Sequence, residues 1–246
     1  MTDTKLHFSR FEFKYILPLE LRQELENELQ YFLDYDPYVV ERKDHQYFVR
    51  SLYFDDPHYT CFMDKVEGLH TRAKFRVRTY TDTPATGTVQ FLEIKGRYNN
   101  LVYKHRTPLN SQQLIGLDKG ERLITIIRRA AVPGDVSDKF EFELFRKQLH
   151  PVALVDYTRR PYISRFDPEF RLTFDSHLRG TDTQALFPSA SVHSRQLLRG
   201  YTVMEVKFKR HIPAWFHRLI QAYELRRVSV SKICHAMEAL GMAEDN

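Results

Sequence analysis

The feature that most constrains this chain is a strand pattern, repeated along its length, in which one face is apolar and the other is cationic. The segment KFRVR shows it most clearly, because Lys74, Arg76 and Arg78 alternate with Phe75 and Val77. A period of two predicts a β-strand with a single buried face. Strands of this or a similar kind are predicted at 8–15, 47–55, 71–80, 88–98, 101–107, 152–163, 170–177 and 202–209.

Helical patterns flank and interrupt these strands. Because the apolar strand faces need cover, we expect the helices to pack outside the sheet, which turns the charged faces inward. The predicted fold is α+β: an antiparallel β-tunnel of about eight strands, closed into a barrel, with helices packed outside and at both ends. The stretch 179–200, rich in Ser, Thr and Gly, is predicted to be a long loop. Helices are predicted over 18–33, 111–117, 121–132, 140–149, 214–225 and 231–240.

The face predicted to turn inward is strongly cationic, and only Glu12, Glu93, Asp175 and Glu205 oppose its charge. On one strand such a face would usually meet water. Six segments repeat it, however, and like charges on neighbouring strands repel unless an anion lies between them. The pattern therefore favours an interior that binds a chain of phosphates through Arg forks and Lys ammonium groups. The predicted inward cations are Arg10, Lys14, Arg72, Lys74, Arg76, Arg78, Lys95, Arg97, Lys104, Arg106, Arg159, Arg171, Lys207 and Lys209.

The few carboxylates on this face predict a divalent metal. Mg²⁺ and Mn²⁺ prefer oxygen ligands and need only one or two from the protein when phosphate supplies others. Glu205 and Glu93 are the stronger candidates, and Glu12 and Asp175 are the weaker ones. The alternative for each carboxylate is an ion pair with a neighbouring lysine.

The last predicted helix gives an independent indication of anion binding. Ser231 is a favourable N-cap residue, which places Lys232 at the first helical position. A cation there opposes the helix dipole, and an anion bound at the exposed amides would reverse that effect. A solvated lysine is the alternative, but the other predicted cations favour the anion site.

Composition excludes several other classes of protein. The 246 residues carry a formal net charge of +5, which suggests an anionic partner without selecting one. No GxGxxG, Walker or HExxH motif occurs, and the two cysteines lie too far apart in sequence to indicate a zinc ribbon. No apolar run is long enough for a transmembrane helix, and the N-terminus lacks a signal-peptide core. We expect one domain over residues 1–246, located in the cytoplasm, that does not bind nucleic acid.

A series of short motifs follows the strands between about residues 8 and 240. In order they are RFEFKY, SLYFD, KFRVR, FLEIK, the Lys104-x-Arg106 pair, YTR, RLTFD, MEVKF and VSVSKI. In this ordered set the chain resembles the VTC domains, which are the catalytic polyphosphate polymerase domains of the vacuolar transporter chaperone family and belong to the triphosphate tunnel metalloenzyme, or CYTH-like, superfamily. The resemblance implies an antiparallel β-tunnel whose basic interior binds nucleotide triphosphate and polyphosphate, with Mn²⁺ or Mg²⁺ as cofactor.

The same motifs imply roles for individual residues. Glu205 is implied as the metal ligand, Tyr157 as a neighbour of the nucleotide, and Lys104 and Lys207 as additional phosphate contacts. Catalytic roles are expected for Lys14, Arg76, Arg78, Arg159, Arg171 and Lys232. The implied phosphate ligands are Lys14, Arg76, Arg78, Lys95, Arg159, Arg171, Ser231 and Lys232.

Two positions depart from the family pattern. Arg10 stands where CYTH-type members have the first Glu of an ExExK motif, which favours the VTC branch over the tripolyphosphatases. Ser229 stands where VTC domains can carry an extra lysine before the Ser-Lys pair.

The resemblance implies a metal-dependent phosphotransferase that transfers the γ-phosphate of ATP to a growing polyphosphate chain. Two alternatives stay open: hydrolysis of tripolyphosphate or a nucleoside triphosphate in the same tunnel, and a non-catalytic sensor of polyphosphate or nucleotide. The expected partners are ATP and inorganic polyphosphate. No membrane segment is expected in this chain, and a membrane partner for the product is left open.

Overall fold

The structure is a computed structural model that describes residues 11–84, 87–99, 101–110 and 122–243. Arg10 and the helix predicted at 111–117 lie outside the described residues. The strands are β1 (Phe11–Pro18), β2 (Leu33–Tyr35), β3 (Tyr47–Asp55), β4 (Thr71–Thr79), β5 (Gln90–Tyr98), β6 (Leu101–Leu109), β7 (His150–Ser164), β8 (Arg171–Asp182), β9 (Ser194–Gln196) and β10 (Tyr201–Phe208). The helices are α1 (Leu19–Leu29), α2 (Thr60–Val66), α3 (Leu123–Ala130), α4 (Asp135–Lys147), α5 (Ala214–Ala222) and α6 (Lys232–Leu240).

All the strands of the described residues belong to one antiparallel sheet. Its main path runs β1-β10-β8-β7-β3-β4-β5-β6, while β2 pairs with β7 and β9 pairs with β8. The sheet curls round until its two ends approach each other. An ion pair across the gap shows this, because Lys95 Nζ of β5 lies 3.0 Å from Glu12 Oε1 of β1. The predicted α+β tunnel fold is confirmed.

The predicted closure of the sheet into a barrel is wrong. In the described part of the chain, β1 and β6 approach each other without a ladder of backbone hydrogen bonds between them. A closed barrel leaves no such edges, because every strand pairs on both sides. Side chains such as Lys95 and Glu12 therefore join the two ends of the sheet in place of hydrogen-bonded strands.

The helices cover the outer face of the sheet in three apolar clusters. α3 and α4 bury Ile126, Ile127 and Phe140 against side chains of β3, β4 and β5. α1 and α5 form a second cluster with β1, β8 and β10, and α6 forms the third with β7 and β8. The alternation in the sequence explains this arrangement, because Phe75 points out to the helices while its neighbour Arg76 points inward.

The stretch 179–200 contains more regular structure than the predicted loop. β8 continues to Asp182 and pairs with the short strand β9. Gly180 supplies part of the reason, because a Cβ atom at this position would lie 2.9 Å from the Cβ of Ala236 in α6. Glycine therefore lets the strand pass close beneath α6, a long-range contact that local composition does not reveal.

Candidate functional site

The charged faces of the strands line a cavity of about 1030 Å³ inside the curled sheet. The extended segment before α6, together with the first turn of that helix, forms another part of its wall. Among the described residues, two carboxylates, Glu12 and Glu205, line the cavity beside fifteen cationic side chains. These cations are Lys14, Lys65, Arg72, Lys74, Arg76, Arg78, Lys95, Arg97, Lys104, Arg106, Arg159, Arg171, Lys207, Arg227 and Lys232.

The structure brings together nearly all the residues that the sequence singled out. Within the described residues, every predicted inward cation except Lys209 lines the cavity. Lys209 follows β10 and pairs with Glu169, with Nζ and Oε1 3.0 Å apart. The roles of the predicted site residues in binding and catalysis stay predictions. The predicted site residues on the wall are Lys14, Arg76, Arg78, Lys95, Lys104, Tyr157, Arg159, Arg171, Glu205, Lys207, Ser231 and Lys232.

Glu93 lies fully buried behind this wall and bridges cations from β4 and β6. Arg76 Nε donates to its Oε2 at 2.8 Å and Arg76 Nη2 lies 2.7 Å from the same oxygen, and Lys104 Nζ lies 2.5 Å from its Oε1. Burial alone would raise the pKa of Glu93, but Arg76 and Arg78 hold this pKa well below its usual range. The carboxylate is therefore ionised, and both of its oxygens contact cations of the protein.

Arg76 and Arg78 are also fixed by hydroxyl groups. Arg76 Nη1 donates to Tyr53 Oη at 2.9 Å, while Arg78 donates to Ser51 Oγ at 3.0 Å and to Tyr157 Oη at 3.1 Å. Burial would raise the pKa of Tyr53, but the two guanidinium groups outweigh it and lower this pKa to about 8. Two rigid arginine forks therefore border the cavity, which suits bidentate binding of phosphate oxygens.

Glu12 and Glu205 share lysines from neighbouring strands. Glu12 is the register partner of Lys207, and Lys14 is the partner of Glu205. Lys14 Nζ lies 3.1 Å from Glu12 and 3.7 Å from Glu205, and Lys207 Nζ lies 2.6 Å from Glu205. Burial alone would raise the pKa of Glu205, but Lys207 and Lys14 hold it well below its usual range. The carboxylate of Glu205 is therefore ionised on the cavity wall.

Glu12, Glu205 and Glu93 differ in how well they could bind a divalent metal. Among the described residues, no group of three or more His, Cys, Asp or Glu side chains could hold a metal ion. Glu12 and Glu205 nevertheless offer neighbouring oxygen donors on the wall, which Mg²⁺ and Mn²⁺ prefer. Such a metal would take its remaining ligands from phosphate or water. Glu93 fits less well, because it is fully buried behind the wall and does not line the cavity.

Asp175 is a further buried carboxylate, and it connects β7 and β8 to α6. Arg159 donates to its two oxygens at 2.7 and 2.8 Å, and Lys232 Nζ lies 2.6 Å from Oδ2. Burial alone would raise the pKa of Asp175, but Arg159 and Lys232 lower it. Ser231 caps α6 as predicted, with its Oγ accepting from the Cys234 N–H at 3.5 Å. Lys232 is thus not a solvated lysine, since its side chain is buried and pairs with the carboxylate of Asp175.

Some wall residues were not singled out by the sequence. Tyr53, Lys65 and Arg227 all line the cavity. Arg227 lies in the extended segment before α6, where no strand alternation marks it, and its guanidinium carbon lies 3.8 Å from the ring centroid of Phe13. Lys74 belongs to the predicted inward face without an assigned role, and the signal that pointed to it is its position two residues before Arg76, on the same face of the strand.

An antiparallel sheet curled round a basic cavity is the arrangement of the triphosphate tunnel fold, and solved structures support this class. A candidate adenylate cyclase from Bacillus halodurans is similar with a TM-score of 0.54 and 14% identity, over 91% of this chain and 94% of that chain. A candidate adenylyl cyclase from Hippeastrum, described as having a dominant triphosphatase activity, is similar with a TM-score of 0.52 and 10% identity, over 96% and 97%. At such identities the likeness shows the fold alone.

The family is shown by sequence. The VTC domain profile matches residues 9–241, so this chain belongs to the VTC domain family. No curated protein is significantly similar to it in sequence. None of the helices in the described ranges combines the length and apolar composition needed to cross a bilayer.

Proposed function

We propose that this protein is an ATP–polyphosphate phosphotransferase, which adds the γ-phosphate of ATP to the end of a polyphosphate chain inside the tunnel. The supporting observation is the excess of cations on the cavity wall, where the described part of the chain places fifteen Lys and Arg residues against Glu12 and Glu205. The repulsion between these like charges is relieved by a ligand that carries many negative charges. The cavity volume of about 1030 Å³ matches the upper end of the roughly 300–1,000 Å³ typical of small-molecule sites.

The proposed transfer needs no nucleophile from the protein. A terminal oxygen of the polyphosphate chain forms a bond to the γ-phosphorus while the bond from that phosphorus to the bridging oxygen breaks, and ADP leaves with the bonding electron pair. We assign the oxygens of the transferred group to Arg76, Arg78 and Arg159. Arg171, at the exposed start of β8, is assigned to a neighbouring phosphate of the chain.

The carboxylates support this charge arrangement before the substrate binds. Glu93 and Asp175 orient Arg76 and Arg159, so these arginines need little reorganisation during the reaction. Mn²⁺ or Mg²⁺, held by Glu205 with Glu12, would neutralise charge on phosphate oxygens. Lys14, Lys95, Lys207 and Lys232 bind the remaining phosphate oxygens, with Ser231 donating from the start of α6 and Tyr157 lying near the nucleotide.

Hydrolysis of tripolyphosphate or a nucleoside triphosphate is the second candidate. The neighbouring carboxylates Glu12 and Glu205 favour it, because they could orient a water molecule beside the terminal phosphate. The oxygen of that water would form a bond to the terminal phosphorus and a proton of the water would pass to solvent. The bond to the bridging oxygen would break, and pyrophosphate or a nucleoside diphosphate would leave with the bonding electron pair. The triphosphatase activity described for the Hippeastrum protein is consistent with this candidate.

One assay separates the candidates. The purified protein is incubated with ATP and Mn²⁺, ADP and free phosphate are measured, and the products are separated on a gel stained for polyphosphate. A ladder with ADP supports the polymerase, and free phosphate without a ladder supports hydrolysis. Saturable binding of tripolyphosphate without turnover would contradict both enzymatic candidates and support a non-catalytic sensor.

Two variants connect the assay to the tunnel. Arg76→Ala should abolish the activity, because it removes a guanidinium group from the wall and leaves Glu93 buried without it. The matched control is Arg146→Ala on the outer surface of α4, where Arg146 pairs with Glu143 and its side chain is 52% exposed. Equal activity in both variants would contradict the tunnel as the site of reaction.

The proposal includes a cytoplasmic location, where ATP is available. Cys61 and Cys234 are both free and buried, which is consistent with a reducing compartment. A membrane partner that receives the polyphosphate remains a separate hypothesis.

A further inference from the structure

Three lysines occupy directly opposed positions on neighbouring strands of the tunnel wall. Lys74 of β4 is the register partner of Lys95 of β5, which is in turn the partner of Lys104 of β6. All three line the cavity. Like charges directly opposite each other in a sheet are destabilising, so each ammonium group in this lysine row requires a nearby anion.

Two members of the lysine row have a carboxylate partner. Lys95 Nζ lies 3.0 and 3.2 Å from the two oxygens of Glu12. Lys104 Nζ lies 2.5 Å from Glu93 Oε1. Glu12 is thus the counter-ion of Lys95, in the middle of the row, and Glu93 that of Lys104, at its β6 end.

Lys74 differs from the other two. Among the described residues, its ammonium group forms no ion pair with a carboxylate. It donates to Ser231 Oγ at 2.5 Å and lies 3.6 Å from Cys234 Sγ. A hydroxyl and a thiol provide hydrogen-bond partners but do not neutralise the charge. The wall therefore holds a charged group whose counter-ion is not part of the described protein.

The surroundings of Lys74 concentrate further positive charge. Lys232 begins α6 directly after Ser231, and Lys14 Nζ donates to the carbonyl of Val230 at 3.1 Å. Burial lowers the pKa of Lys74, and the charge of Lys14 lowers it further. An anion bound beside Lys74 would offset both effects, and phosphate oxygens also accept hydrogen bonds from hydroxyl groups.

We propose that Lys74 binds a phosphoryl group of the polyphosphate chain, together with the hydroxyl of Ser231 and the ammonium group of Lys232. This assignment rests on the proposed function for the class of ligand. It gives β4 a third phosphate-binding position, beside Arg76 and Arg78, at the point where this strand meets the start of α6.

The proposal is tested with inorganic tripolyphosphate as the probe and Lys74→Met as the variant, because methionine keeps the length of the side chain without its charge. Isothermal titration should show a tenfold or greater increase in Kd. Thermal unfolding without ligand should show a midpoint equal to or above that of the wild type, since an uncompensated charge is removed. A merely structural role would lower this midpoint and leave Kd unchanged.

The matched control is Lys43→Met, since Lys43 is exposed on the turn before β3. Its Kd should equal the wild-type value. If Lys74→Met does not fold, Lys74→Gln replaces it, because glutamine can still donate to Ser231 without the charge. A Kd within twofold of the wild type in the folded variant overturns the proposal. Failure of the proposed function would look different: the wild type would form no polyphosphate ladder from ATP, while tripolyphosphate binding would still depend on Lys74.

Discussion

Asp175 and Lys232 form a buried ion pair in the wall of the tunnel, with Oδ2 and Nζ 2.6 Å apart, and this contact joins the first turn of α6 to β8. The same carboxylate accepts two hydrogen bonds from Arg159. Asp175 therefore holds together two cations that we assign to phosphate binding. Glu93 has a similar relationship to Arg76 and Lys104. Buried carboxylates thus stabilise part of the cationic wall in the absence of substrate.

Asp175→Asn should lower the free energy of unfolding by about 3–5 kcal/mol, because it leaves Arg159 and Lys232 buried without their counter-ion. Tripolyphosphate should recover part of this loss, because its charge takes the place of the carboxylate. Urea unfolding with and without tripolyphosphate measures both effects. The control Asp34→Asn breaks the exposed pair with Arg165 and should cost about 0–1 kcal/mol. Similar losses in the two variants would contradict the role of Asp175.

Glu205→Gln and Glu93→Gln should have different effects on Mn²⁺ binding in the presence of tripolyphosphate. Glu205 faces the cavity and is the proposed ligand, so its amide variant should weaken Mn²⁺ affinity about tenfold or more. Glu93 is buried behind the wall, where it orients Arg76 and Lys104, so its variant should mainly weaken tripolyphosphate binding. Electron paramagnetic resonance of free Mn²⁺ measures the first effect and calorimetry the second. A loss of Mn²⁺ affinity confined to Glu93→Gln would reverse the assignment.

The lysine row should make the protein sensitive to pH. Burial lowers the pKa of Lys95 to about 8 and that of Lys104 to about 7, from the usual value of 10.5. Between about pH 7 and 10 the unfolded chain then binds more protons than the folded tunnel, so the free energy of unfolding of the ligand-free protein should rise with pH. Denaturant unfolding at several pH values checks this direction.

Tripolyphosphate affinity should change in the opposite direction over the same pH range, because binding requires the charged lysines. At about pH 8, binding should therefore be accompanied by proton uptake. Calorimetry in buffers of different ionisation enthalpy measures this uptake. Lys104→Met, studied under identical conditions, should take up fewer protons. Because titration of the ligand itself contributes equally to both measurements, the difference between the two proteins gives the uptake by Lys104. Equal uptake by the variant and the wild type would exclude Lys104 as the source.

Arg76→Lys should reduce the rate of ADP formation by about 10²–10³-fold, even though the positive charge is kept. Lysine cannot reproduce the planar fork that contacts both Tyr53 and Glu93 while facing the cavity. Arg146→Lys on the outer surface of α4 is the control and should leave the rate unchanged. Initial rates of ADP formation at saturating ATP check this prediction. Wild-type rates in both variants would argue against a bidentate role for Arg76.

The direction of the side chains could be predicted because it is a local property of a strand. Arg76 and Arg78 alternate with Phe75 and Val77, and a β-strand sends such neighbours to opposite faces. The capping role of Ser231 is likewise local. Strand alternation could not predict that Arg227 lines the cavity, because this residue lies in an extended segment without alternation. It reaches the cavity only through the path of the chain before α6.

The amino-acid sequence by itself determined which faces are charged, which are apolar, and to which family the chain belongs. Only the tertiary structure decided how the charges are paired and that the curled sheet stays open between β1 and β6. Strand register places Lys74, Lys95 and Lys104 side by side, and the curvature of the sheet gives Lys95 the carboxylate of Glu12. These contacts join residues far apart in the chain, and their geometry depends on how the whole sheet curls and where α6 lies against it.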